Sequence, residues 1–179
     1  MDFGTGSTSS SFPPSSTFGY TYDVFLSFRG EDTRNNFTGH LYTALKNKGI
    51  HTFKDDEKLQ QGTTIKSELF KAIEESRFAV VILSKDYASS SWCLIELANI
   101  IECMKKTGLT VLPVFHEVDP SDVRHLKGVF EEAFAEHSVR FEDKIVEVNN
   151  WRDALVKVAN IAGWDLRDRY EFLLKTFGE

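Results

Sequence analysis

The residues best placed to do chemistry lie between Ser84 and Cys103, in the run SKDYASSSWCLIELANIIEC, where a serine-rich loop leads directly into an apolar helical pattern. Winding that pattern at about 100° per residue sets Cys93, Leu94, Leu97, Ile101 and Met104 on one face, as a core-packed helix requires. Glu96 falls at the margin of the face, where truncation is expected to open no core cavity. Trp92 is its i−4 neighbour, so an indole and a carboxylate share the first turns of the helix. The N-terminus of such a helix presents backbone N–H groups and a positive dipole end, a setting that favours an anion such as a pyrophosphate.

Further candidates follow from the elements that must hold this helix. Residues 22–28, 78–83 and 110–115 are near-continuous apolar runs, the pattern of strands covered on both faces, and residues 50–53 and 163–166 are shorter runs suited to edges. Helical patterns over 35–48, 65–75 and 92–106 alternate with them, and two more follow over 129–141 and 148–162. The alternation predicts an α/β fold, a doubly wound, flavodoxin-like parallel sheet with helices on both faces. Ligands of such sheets bind outside the carboxyl ends of the strands. Phe28, Arg29, Gly30, Glu31, Asp32 and Thr33 follow the first strand, residues 54–62 follow the second, and the serine loop follows the third. Arg29 suits a phosphate bidentately, Gly30 and Gly62 permit close backbone approach, and Trp92 offers a stacking face.

Other chemistries lack their residues. No G-x-G-x-x-G or G-x-x-x-x-G-K-[ST] occurs, no histidine pair has metal spacing, and no serine near Ser84 has a base close in sequence, so a metal site and nucleophilic catalysis are not expected. A phosphoacceptor receiver would need acids where Phe28, Arg29 and Ser84 stand. The net charge of −6 argues against partners such as nucleic acid or an anionic membrane. There is no membrane-spanning apolar run and no signal-peptide core, so a soluble cytosolic chain is expected. Cys93 and Cys103, the two cysteines, would stand about 15 Å apart along one helix, too far to bridge, and read as buried thiols. With 179 residues, 41 % of them hydrophobic, the chain suits one domain over residues 20–166, between a disordered tail at 1–19 and a short helical segment at 167–179.

Five stretches then carry a resemblance: YDVFLSFRGEDTR (22–34), FKDD (53–56), AVVILSKDYASSSWCLIEL (79–97), VLPVFHEVDPSDVR (111–124) and GWDLR (163–167). In order and over most of the chain, they are similar to a plant Toll/interleukin-1 receptor (TIR) domain. The resemblance implies a five-stranded parallel sheet and a role in plant immune defence and cell death, through self-association and cleavage of NAD+ or NADP+ as substrate, with no cofactor. It implies that Glu96, the acid of the W-C-x-x-E-L motif at 92–97, is catalytic. It also places substrate contacts on the loop from Phe28 to Thr33 and on a second loop that includes Asp55 and Gly62. It implies a cytoplasmic or nuclear location.

Where relatives often carry Ser-His on the first helix, for a self-association contact, this chain has Gly39-His40, so His40 stands for half of that contact. The last helix, which serves the same contact, looks abbreviated. The loop at 55–64 holds little to bury and is expected to be mobile until a second protomer orders it, with a monomer at micromolar concentration. The alternative reading is a non-enzymatic interaction adaptor in which Glu96 is only a helix residue.

Overall fold

The computed structural model describes residues 19–54 and 63–166. Strands Tyr22–Phe28 (β1), Thr52–Lys54 (β2), Ser76–Leu83 (β3), Thr110–Phe115 (β4) and Trp164–Asp165 (β5) form one parallel sheet in the order β2-β1-β3-β4-β5. The expected edge runs are the edges, although β2 begins at Thr52 and β5 is two residues long. The chain steps outward from β1 to β2 and then returns to the other side of β1, so the strand order reverses between β1 and β3.

Side-chain alternation divides the sheet between two cores. Val24, Leu26, Phe28, Val80, Ile82 and Val114 pack with Phe37, Leu41 and Leu45 of helix α2 (Phe37–Asn47). Phe25, Ala79, Val81, Leu83, Val111 and Phe115 face the larger core, with helices α3 (Thr63–Glu74), α4 (Ser91–Thr107), α6 (Val129–Arg140) and α7 (Ile145–Ala159). Helices therefore cover both faces. Gly163 permits the close approach of β5 to β4, because a Cβ there would lie 2.4 Å from the Pro113 carbonyl oxygen.

Two short helices complete the description. Helix α1 (Gly30–Thr33) directly follows β1 and was not legible as a helix, since four residues carry no periodicity. Helix α5 (Pro120–Arg124) is a turn capped by Asp119, whose carboxylate accepts from the Ser121 amide at 2.8 Å. Helix α7 starts three residues earlier than its apolar pattern. The tail at 1–18, Asp55 and Gly62, most of the 55–64 loop and the segment at 167–179 lie outside the described residues.

Helix α4 corrects one expectation. Glu96 is 4 % exposed, not marginal, and Ile100 joins the buried set. The physical reason is that α4 packs against β1 and β4 on one side and against α3 and α7 on others, so its buried arc is wider than the apolar stripe. Replacing Glu96 by alanine would therefore leave a void.

Candidate functional site

At the point where strand order reverses, the ends of β1 and β3 hand the chain to α1 and to a 3-10 turn at Tyr87–Ser89 that leads into α4. Ser90 caps α4, its hydroxyl accepting from the Cys93 amide at 3.2 Å. A cleft of about 300 Å³ opens there, lined by Phe28, Arg29, Gly30, Glu31, Arg34, residues 89–93 and Arg140. The fold thus gathers Phe28, Arg29, Gly30, Glu31 and Trp92 from two separate stretches of sequence.

Asp32 and Thr33 stand behind the cleft as framework. Asp32 receives Arg29 Nη1 at 2.6 Å on one oxygen; its other oxygen receives the Ser84 hydroxyl at 2.5 Å and the Asp86 amide at 3.2 Å. One carboxylate thereby ties the loop after β1 to the loop after β3. The Thr33 and Thr38 hydroxyls, both buried, meet at 2.7 Å and join α1 to α2. Arg29 sends Nη2 to Glu31 at 2.6 Å, so both of its terminal nitrogens face carboxylates. Burial pulls this guanidinium down, but the hydrogen bond and charge of Asp32, then Glu31 and Asp86, outweigh it and hold the pKa above the ordinary arginine value.

Glu96 does not line this cleft. It sits within α4 one turn beyond Trp92 and Cys93, and has polar or electrostatic partners of its own. Burial first, and the Glu96 charge second, push the Cys93 thiol up to about 12, so it stays protonated, with its sulfur 3.7 Å from the Phe28 carbonyl. Tyr87 is also raised well above the ordinary phenol, by burial and then by electrostatic repulsion from Cys93, once that thiol ionises, and from Glu96; its hydroxyl lies 2.8 Å from Ser27 Oγ and donates to the Cys93 carbonyl at 3.3 Å. Behind the cleft the site is thus a dry, hydrogen-bonded layer containing a carboxylate.

Sequence reasoning missed two arginines. Arg34 belongs to the same RGEDTR run and stands over the Phe28 ring at 5.3 Å, so its signal was local. Arg140, at the end of α6, carries no local signal, because only the packing of α6 brings it to the cleft. His40 is exposed on α2. A Cβ at Gly39 would meet the Arg34 carbonyl oxygen at 2.6 Å, so any side chain at this position would have to displace backbone. Both cysteines are buried free thiols. Among the described residues no cluster could hold a metal ion, and no helix is long and apolar enough to cross a membrane.

A doubly wound parallel sheet with an arginine-lined cleft at its switch point and a buried acid in the adjoining helix defines the class. The family model described as TIR domain matches residues 21–173, and the chain belongs to that family. It is 53 % identical over 156 residues to TMV resistance protein N of Nicotiana glutinosa and 55 % identical over 165 residues to disease resistance protein RPV1 of Vitis rotundifolia. These matches cover 87 % and 92 % of this chain but 14 % and 12 % of those relatives, so the chain spans about an eighth of their length. Among solved structures, it is similar to the TIR domains of the activated Roq1 resistosome, which directly recognizes the pathogen effector XopQ. The TM-score is 0.77 at 55 % identity, covering 88 % of this chain and 95 % of that one.

Proposed function

We propose that this chain is an NAD(P)+ nucleosidase that signals plant immune defence and cell death after self-association, with Glu96 as its catalytic carboxylate. One observation carries the reading: an acid 4 % exposed, in the helix whose first turn walls an arginine-lined cleft at the switch point of the sheet. An ionisable group is rarely kept so buried without a task.

The chemistry suits a single carboxylate. Nicotinamide leaves its cationic glycosidic bond as a neutral ring, so the general acid of ordinary glycoside hydrolysis is dispensable. Glu96 stabilises the oxocarbenium-like ribose carbon, and a carboxylate in a water-poor layer does so more strongly than one in bulk solvent. Attack by water gives ADP-ribose; attack by a nitrogen of the same molecule gives a cyclic product. The disease-resistance relatives support a defence role and the resistosome neighbour supports work within an assembly, and the cytoplasm or nucleus is the location that the proposal assigns.

The adaptor reading is favoured by one observation, that Glu96 does not line the cleft. Nicotinamide release separates the two. Glu96→Gln, which keeps the buried volume, should lower the rate at least about a hundredfold with a native thermal melt. A folded Gln variant with full activity would remove Glu96 from catalysis. Concentrated wild-type protein that consumes neither NAD+ nor NADP+ would leave the adaptor.

A further inference from the structure

We infer that Arg140 is a specificity residue that binds the phosphate monoester of NADP+ and so favours that dinucleotide over NAD+; this rests on the nucleosidase reading above. The cleft is lined by three guanidinium groups, Arg29, Arg34 and Arg140, against one carboxylate, Glu31, on a chain whose net charge is −6. The three positive side chains are not equivalent. Arg29 already faces Asp32 and Glu31 at 2.6 Å each, and Arg34 lies over the Phe28 ring. Arg140, among the described residues, has no carboxylate within 4.0 Å.

Nor is Arg140 an arbitrary surface arginine. Its guanidinium lies over the Phe141 ring at 5.3 Å, and that ring meets the buried Trp151 edge-on at 5.4 Å and His137 at 5.9 Å. Arg140 is exposed, and its contact with the Phe141 ring restrains the side chain, which lowers the entropy lost on binding. A dinucleotide without the extra phosphate brings only the diester charges of its pyrophosphate. The monoester of NADP+ adds about −1.5 to −2 charge and three acceptor oxygens, the match for a planar fork with no competing carboxylate. A plain helix-end role, in which Arg140 merely offsets the dipole of α6, would make no distinction between the two dinucleotides.

The test compares kcat/KM for NADP+ and NAD+ in the full chain as wild type, Arg140→Ala and Arg140→Lys. It is paired with calorimetric titration of 2′-phospho-ADP-ribose, which carries the monoester, and of ADP-ribose, which carries only the pyrophosphate diester charges. Arg140→Ala should lower kcat/KM for NADP+ by about tenfold or more while NAD+ changes less than about threefold, and Lys should restore part of the difference. The 2′-phosphorylated ligand should bind about tenfold more weakly to the alanine variant, with ADP-ribose unchanged. Equal losses for both dinucleotides, no loss for either, or equal binding of 2′-phospho-ADP-ribose to wild type and variant would overturn the assignment. A wild type that cleaves neither dinucleotide defeats the nucleosidase reading, and the calorimetric arm then decides Arg140 alone.

Discussion

Removing the Asp32 carboxylate should loosen the cleft and destabilise the whole domain, because one side chain joins two loops separated by more than fifty residues. Its partners are Arg29 Nη1 at 2.6 Å, Ser84 Oγ at 2.5 Å and the Asp86 amide at 3.2 Å. The pair is only partly wet, with side-chain exposures of 23 % for Arg29 and 14 % for Asp32, so solvent screening discounts it modestly. Hydrogen bonds to a charged group contribute about 1.5–3 kcal/mol, but Arg29 keeps Glu31 and the freed loop admits water, so the three bonds do not add. Asp32→Ala should cost about 3 kcal/mol, which in a domain of this size lowers Tm by roughly 6–12 °C. Glu31→Ala is the internal control: Glu31 is 76 % exposed and its bond to Arg29 is a surface ion pair, worth under about 1 kcal/mol. Differential scanning calorimetry of the two variants beside the wild type decides the matter. An Asp32→Ala melt within about 2 °C of wild type, or one equal to that of Glu31→Ala, would show that the clasp carries no stability.

Gly39→Ser should destabilise the fold by about 1–3 kcal/mol because its Cβ would lie 2.6 Å from the Arg34 carbonyl oxygen; a chemical-denaturation midpoint equal to wild type would show that α2 shifts freely. The Cys93 thiol is raised from 9.0 to about 12, so the folded chain keeps a proton that the unfolded chain releases; its contribution is whole below pH 9 and is lost as pH rises toward 12, at up to about 1.4 kcal/mol per pH unit. Urea unfolding between pH 8 and 10.5 should show that decline, and Cys93→Ala should make it shallower, leaving the part carried by Cys103 and Tyr87, which burial also raises; equal slopes in wild type and variant would assign the effect to other groups. Activity per protomer should rise across a roughly hundredfold range of protein concentration, and His40→Ala, at an exposed residue outside the cleft lining, should depress it. A flat rate from a species that light scattering finds monomeric throughout would show one chain to be a complete catalyst.

Much of the architecture is legible in the one-dimensional order. Near-continuous apolar runs at 22–28, 78–83 and 110–115 mark strands buried on both faces, and all three are central strands of the sheet, because a strand covered twice has no polar side to display. The Trp92 to Glu96 spacing places both residues on one helix, and the loops after β1 and β3 were identified as cleft walls from their position after strands alone. What tertiary structure decided is the state of each group. Glu96 looked marginal on a helical wheel, which knows one helix and not its neighbours; the wheel could not register that α4 is covered from several sides. Arg29 looked like a ligand for phosphate, yet its partners include Asp86, drawn in from the loop after β3, together with an Asp32 that is itself held by Ser84. Arg140 was invisible beside the cleft because a guanidinium acts across space, and its distance from Trp92 along the chain says nothing about its distance through the fold. Local spacing determines which residues an element carries; only the packing of elements determines which are dry, which are paired, and which charges share one cavity.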